Sequence, residues 1–473
     1  MTSAANHALQ RETGSFRDRE ARVFYRDGKV YRCLSERALQ AWERLEGSHL
    51  WARENTLGAG RTVGTHRVPA ADGVPCPEGS WDVVLEHDRV PVITYPYEWC
   101  FGMLKDAALL TLDLMLAGLD EDMMLKDATP YNVQWQGSQP VFIDVASFDL
   151  LEPGEPWPGY RQFCELFLYP LMLCAYKNVP FHPFMRGRLE GVEMETLRQL
   201  VGIWDWLRPG VLVDVVLHAH LQRAGERSTG SARRELREGG FNRDMIRANG
   251  RRLEKVVSGM RWGPSRSTWS SYARDAIYGA DGLEAKREFI CRVAGERKRS
   301  LAWDVGANDG TFSRIVATST ATVLAMDYDH AVVERLYQAL KAESNRQIIP
   351  LVMNVADPSP ALGWRGGERG TLLERGRPDL TLCLALLHHL VIGANVPLAE
   401  VVEWMAELRS ELIVEFVTRQ DPQVQILLRN KTDHYQDYDQ DSFEKLMEKT
   451  FEVVTREEIV EGRRFLYLAR PRN

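Results

Sequence analysis

The chain has 473 residues, too many for a single core, so at least two domains are expected. Its hydrophobic content of 44% and charged content of 26% are those of an ordinary globular protein. A net charge of −7 gives no overall pull toward nucleic acid or an anionic membrane, and neither is expected as a partner.

The seven cysteines are Cys33, Cys76, Cys100, Cys164, Cys174, Cys291 and Cys383. None forms a C-x-x-C pair, and their number is odd. That suits a reducing cytoplasm and predicts neither a structural zinc nor any other bound metal. The stretch Met1 to Arg22 is polar and reads as no secretory signal. Apolar runs such as Phe163 to Tyr176 are interrupted and too short to span a bilayer.

Two strands, Arg22-Val23-Phe24-Tyr25 and Lys29-Val30-Tyr31-Arg32, flank an Asp27-Gly28 turn. Ser35 is placed to cap a helix through Ala38 to Leu45. Trp81–Glu86 and Val90–Thr94 read as a second hairpin. Apolar residues at helical spacing predict a helix over Phe101–Leu119. Next comes Asp127-Ala128-Thr129-Pro130-Tyr131-Asn132, and then Asp144 at the end of Val141-Phe142-Ile143.

That D-x-x-x-x-N spacing with a following acid is the pattern of a protein-kinase catalytic loop and its metal-binding Asp. Residues 1–225 thus resemble a kinase-like or aminoglycoside-phosphotransferase-like α+β domain in degenerate form. Leu125 stands where the kinase His precedes the catalytic Asp, and no strand lysine of the V-A-I-K type is visible. The resemblance implies a pocket of Asp127, Asn132 and Asp144, with Mg-ATP as its ligand if it is active. Otherwise the three residues tie a loop together.

Residues Gln222 to Arg243 mix six arginines with Glu226, Glu235 and Glu238 and read as an exposed linker. Ile246 to Met260 reads as a helix. Trp269 and Tyr272 follow at helical spacing.

Leu301 to Val305 reads as a buried strand running into Gly306-Ala307-Asn308-Asp309-Gly310, with a helix opening at Thr311. Glycines suit a turn whose backbone must pass close to a ligand. A second strand, Thr322 to Met326, ends in Asp327; such an acid accepts ribose hydroxyls in nucleotide-binding α/β domains. A third, Ile348 to Asn354, leads to Asp357. A fourth, Asp379 to Ala385, ends in Leu386-Leu387-His388-His389-Leu390. A fifth, Glu411 to Val414, ends in Glu415. Phe451–Val454 and Arg464–Ala469 close the chain as an antiparallel hairpin.

Together, D-x-G-x-N-x-G at Asp304 to Gly310, Asp327, the strand into His388-His389 and the terminal hairpin resemble a class I S-adenosylmethionine (SAM) methyltransferase. Phrases such as Asp357-Pro358-Ser359-Pro360 and Leu384 to Leu390 are similar to bacterial nodulation-protein-type methyltransferases, a group that implies a tailoring enzyme. The implied fold is a Rossmann-like seven-stranded sheet over 286–473. Residues 226–285 would form the linker and a helical cofactor cover.

The resemblance implies SAM as cofactor. Asp304, Gly306, Asn308 and Gly310 would form the turn against it, with Asp304 orienting that turn or meeting the methionine amine. Asp327 would take the ribose hydroxyls, Tyr328 would flank the adenine, and Asp357 or Asn354 would sit near the adenine amine. Tyr272 would cover the methionine end. His388 or His389 is the candidate base, and Glu415 a second candidate for acceptor contact. Thr418 to Gln425 and the acidic, aromatic run Asp433 to Asp441 would line the acceptor side or form solvated loops. The expected acceptor is a small molecule or saccharide, with the kinase-like domain assisting its recognition. A bifunctional methyltransferase/phosphotransferase and a non-catalytic cofactor-binding scaffold are the alternatives. A DNA methyltransferase is disfavoured, because no N/D-P-P-Y/F motif follows the fourth strand.

Overall fold

The computed structural model describes residues 9–54, 60–69, 74, 76–152, 154–217, 242–263, 274–429, 431–432 and 434–472. Five strands open the chain: β1 (Gln10–Arg11), β2 (Ala21–Arg26), β3 (Lys29–Leu34), β4 (Thr65–Arg67) and β5 (Val83–His87). They form one antiparallel sheet in the order β1-β2-β3-β5-β4. The β2–β3 turn is tight because Asp27 and Gly28 both take positive φ, 52° and 78°, which matches the twist of the strands they join. Helix α1 (Glu36–Glu46) follows, with the Ser35 hydroxyl accepting from the Ala38 amide at 3.4 Å. Its buried residues, Ala38, Ala41, Trp42 and Leu45, repeat at helical spacing.

The expected hairpin over 81–94 does not form. Val83–His87 pairs instead with β3 and β4. The amide of Thr94 is taken by the Gln134 side chain at 2.7 Å, which holds 90–94 outside any strand.

Helix α2 (Phe101–Leu119) is apolar almost all round and lies buried at the centre of this half. After it β6 (Met123–Leu125) pairs with β9 (Phe148–Leu150), and β7 (Val133–Gln136) pairs with β8 (Gln139–Phe142). Helix α3 (Arg243–Gly259) lies along α2; a Cβ on Gly250 would stand 2.7 Å from the Met115 methyl. The helix expected over Ile246–Met260 is thus present and packs against the N-terminal half, while 218–241, most of the expected linker, falls outside the described residues. Helix α4 (Arg274–Gly295), broken at Gly279, buries Phe289, Ile290 and Val293 in the C-terminal core. The expected boundary at 286 falls within this helix.

The second sheet has seven strands. They are β10 (Arg299–Val305), β11 (Thr320–Asp327), β12 (Ile348–Val352), β13 (Leu380–Cys383), β14 (Glu411–Val417), β15 (Phe451–Val460) and β16 (Arg464–Pro471), in the order β12-β11-β10-β13-β14-β16-β15. The first five run parallel, and β16 inserts antiparallel between β14 and β15. Helices α5 (Thr311–Ala317) and α6 (His330–Ala342) connect β10 to β11 and β11 to β12. Strand order reverses between β10 and β13. Open parallel sheets bind ligands in the crevice outside the carboxyl ends at that point.

The two halves meet along α6 and the β12–β13 connection. The Gly102 amide donates to Glu334 at 2.7 Å, and the Ser138 amide donates to the Asn345 carbonyl at 2.8 Å. Trp135 meets Tyr337 edge-on, with ring centroids 5.6 Å apart. A buried ion pair joins Arg375 to Glu98, and Arg186 grips Asp357 through two bonds of 2.9 and 3.1 Å. Among the described residues no helix is long and apolar enough to cross a membrane.

Candidate active site

At the end of β10 the amides of Gly306 and Ala307 both donate to the Met326 carbonyl, at 2.8 and 2.9 Å, which folds the chain back over β11. Three positive φ angles make the turn possible: Gly306 at 81°, Asn308 at 51° and Gly310 at 72°. Asn tolerates that region better than most residues. A Cβ on Gly306 would point across the crevice to Leu386, 3.7 Å away beyond β13. The opposite wall carries its own left-handed residue, Ala385 (φ 51°). Alanine has no local hydrogen bond to offset that conformation, so the cost of about 1 kcal/mol is held by the surroundings. Sequence reading missed Ala385, because nothing about an alanine signals a positive φ.

Asp327 ends β11. One of its oxygens accepts from the Asn308 amide at 3.1 Å and the other from the Asp329 amide at 3.0 Å. Burial raises its pKa, opposed by these amides. The carboxylate is thus fixed at the mouth of the turn with lone pairs to spare. Tyr328 beside it is 53% exposed. Asp304 is buried, and its carboxylate accepts from the Ser313 hydroxyl at 2.6 Å. That bond ties the end of β10 to α5.

Two expectations for the adenine side change. Asp357 lies at the surface, where Arg186 holds its carboxylate bidentately and lowers its pKa; its charge serves the domain seam. Asn354 folds onto its own loop, accepting from the Ala356 amide at 3.1 Å. Tyr272 and Trp269 lie outside the described residues.

His388 and His389 follow β13, with ring centroids 4.1 Å apart. His388 is 1% exposed, and its Nδ1 has no hydrogen-bond partner. Burial, then His389, lowers its pKa far below the usual value. His389 is only half-buried; burial and Arg464 push it down to about 4. Both rings are neutral at pH 7.

Glu415 is corrected from acceptor contact to structural anion. It is fully buried, accepting from Lys286 at 2.6 Å, Tyr278 at 2.9 Å and Arg464 at 3.1 Å. Burial would raise its pKa, and the two cations more than reverse that, leaving it below the ordinary value. Asp421 receives the other face of Arg464 at 2.7 Å. Farther on, Tyr438 is buried with its hydroxyl on the Val417 carbonyl, and Asp439 caps the helix at Gln440–Thr450. Those two residues of the acidic, aromatic run hold structure and do not line a crevice.

In the N-terminal half, Asp127, Asn132 and Asp144 do come together. Asn132 donates to the Ser147 hydroxyl at 3.0 Å, and Ser147 donates to Asp144 at 2.5 Å. Burial, and then the charge of Asp144, pushes Asp127 up to about 6. Arg32 on β3 pairs with the other oxygen of Asp144. The signal available in the sequence was a basic residue inside the Lys29–Arg32 strand run.

No protein-family profile matches the chain. Nodulation protein NoeA of Rhizobium meliloti (strain 1021) is 32% identical over 463 residues, covering 97% of this chain and 95% of that protein. Among solved structures, the N-methyltransferase NodS of Bradyrhizobium japonicum WM9 in complex with S-adenosyl-l-homocysteine is 11% identical with a TM-score of 0.32, covering 43% of this chain and 95% of that one. Magnesium protoporphyrin IX methyltransferase of Synechocystis PCC 6803 with bound SAM is 17% identical with a TM-score of 0.29, covering 44% and 86%.

Proposed function

The chain belongs to the family of the nodulation protein NoeA, and on that premise we propose that it is a SAM-dependent methyltransferase acting on a small-molecule or saccharide acceptor. The observation that carries this is the crevice at the strand-order reversal, where the Gly306–Gly310 turn and the amide-held carboxylate of Asp327 face the Ala385–His389 loop. The residues fit the cofactor. A Cβ at Gly306 would project into the space a ligand needs, and Asp327 keeps acceptor capacity for ribose hydroxyls.

When bound, SAM supplies an activated methyl group for in-line displacement. The protein's part is to align the acceptor and exclude water. Asp327 orients the sugar. The 306–310 turn brings backbone against the cofactor's body. His389, neutral at pH 7 and half-buried, offers a ring nitrogen to take the proton of an acceptor hydroxyl or amine, with His388 packed beside it. The Lys286–Glu415–Arg464 cluster holds the acceptor end of the sheet in register and keeps positive charge near both rings.

We read the N-terminal half as a kinase-like scaffold that assists acceptor recognition. Its sheet order, the Asp127–Asn132 loop and the Arg32–Asp144 pair support that reading. The two oxygens of Asp144 are engaged by Arg32 and Ser147, which favours a scaffold over phosphotransfer.

The test is calorimetric titration with S-adenosylhomocysteine. Asp327→Asn keeps one acceptor oxygen and removes the charge, so affinity should fall about 10–100-fold, the worth of charge-assisted hydrogen bonds. Unchanged affinity would remove the site. A thermal shift with Mg-ATP that disappears in Asp144→Ala would favour the bifunctional reading.

A further inference from the structure

Arg369 lies in the β12–β13 connection, yet its guanidinium reaches into the N-terminal half. Its Cζ sits 4.3 Å from the centre of the Tyr131 ring and 5.9 Å from that of Tyr95. One terminal nitrogen lies 2.5 Å from where a Cβ on Gly14 would stand, so the guanidinium packs directly against the loop 12–15. Tyr131 belongs to the Asp127–Asn132 loop. The guanidinium is therefore held between two loops of one domain by a residue of the other.

Its hydrogen bonding is nearly empty. Nε is buried without a partner, and the one hydrogen bond made is to the Glu368 carbonyl at 3.5 Å. Among the described residues no carboxylate pairs with it. Nearby acids are committed elsewhere: Glu98 to Arg375, Glu368 to Arg17, and Glu12 to Tyr25 and the Gly14 amide. The hydroxyls of Tyr131 and Tyr97 are likewise buried and unpartnered. Tyr95 joins them, with ring centroids 6.2 Å from Tyr131 and 5.4 Å from Tyr97. Arginine stays charged and carries five donors. Arg369 is half-buried, with Nε withdrawn from water and one face of the guanidinium stacked on Tyr131.

We propose that Arg369, Tyr131 and Tyr97 form an anion site across the domain seam that takes the phosphoryl group of a phosphorylated ligand. A guanidinium fork with two phenol donors outnumbers the two oxygens of a carboxylate and suits the three of a phosphoryl group. A cavity of about 450 Å³ opens beside the site between loop 12–16 and residues 364–368. Arg11, Arg22 and Arg365 line it together with Glu12, Glu78 and Glu368, so its wall is charge-balanced and the selectivity for an anion rests on Arg369, while the exposed rings of Phe16 and Trp364 offer apolar faces to the rest of the ligand. This inference does not depend on the methyltransferase reading.

The test is calorimetric titration of the full chain with inorganic phosphate, with ADP in EDTA and with glucose 1-phosphate, using acetate as the carboxylate control. The wild type should bind phosphate and not acetate. Arg369→Met keeps the stacked stem and should weaken phosphate binding about tenfold or more. Tyr131→Phe should weaken it several-fold, and both variants should bind S-adenosylhomocysteine as the wild type does. Tighter binding of ADP would assign the phosphate to a nucleotide, and tighter binding of glucose 1-phosphate to a sugar. If Arg369→Met does not fold, Arg369→Lys, which keeps the charge and loses the fork, should show the same loss. No binding of phosphate, ADP or glucose 1-phosphate at tens of millimolar, equal binding of acetate, or wild-type phosphate affinity in the Arg369 variants would overturn the proposal.

Discussion

Replacing Glu415 with glutamine separates a structural role for this carboxylate from a catalytic one. The substitution keeps the shape and removes one buried negative charge. Lys286 then faces a neutral amide at 2.6 Å, while Arg464 keeps Asp421. At an effective dielectric of about 20, a unit pair at 2.6 Å is worth roughly 6 kcal/mol before desolvation. Breaking one partner of a buried pair costs about 3–5 kcal/mol in practice. The surviving Tyr278 hydroxyl and the Arg464–Asp421 pair argue for the lower end, about 3 kcal/mol. For a domain of roughly 200 residues that is a fall of about 10 °C in Tm, read by calorimetry.

The pH dependence carries the same information. The folded pKa of Glu415 lies below its ordinary value, so its contribution is present above that value and is lost as pH falls toward the folded one. Glu415→Gln should therefore lose most stability at neutral pH and converge on the wild type in acid. Below its lowered Tm, methyl transfer should stay within a few-fold of wild type. An unchanged Tm with activity down a hundredfold or more would refute this reasoning and return Glu415 to the acceptor.

The seam should split by burial: Arg375→Met strands Glu98, which is fully buried, and should cost about 3–5 kcal/mol in urea unfolding, whereas Arg186→Met, facing the exposed Asp357, should cost under about 1 kcal/mol. Asp127→Asn should stabilise the protein at pH 7 by on the order of 1 kcal/mol. The folded pKa, about 6, exceeds the ordinary 3.8, so the wild type loses stability as pH rises through that window, and the gain should vanish below about pH 4 in parallel melts. Ala385→Gly should preserve Tm or raise it slightly, since glycine takes φ 51° without strain.

The sequence by itself determined what lies in local patterning. Seven strand-like runs with Asp304-x-Gly306-x-Asn308-x-Gly310 and Asp327 at their expected ends specify a C-terminal α/β sheet, because a buried parallel strand must be continuously apolar and a strand-to-helix turn needs residues that accept positive φ. The Asp27-Gly28 turn and the Ser35 cap were legible for the same reason: each is settled within a few residues.

Tertiary structure alone decided which charges are used up. Glu415 resembles an available acid until Lys286 and Arg464 arrive from positions 129 and 49 residues away, and Asp357 resembles an adenine contact until Arg186 crosses from the other domain. Arg32 acquires its meaning only opposite Asp144, 112 residues later. Ion pairing acts through space between groups whose separation along the chain is arbitrary, so no window of sequence contains it. The left-handed Ala385 belongs with them, since its conformation is imposed by the two walls of a crevice that exists only once the sheet is assembled.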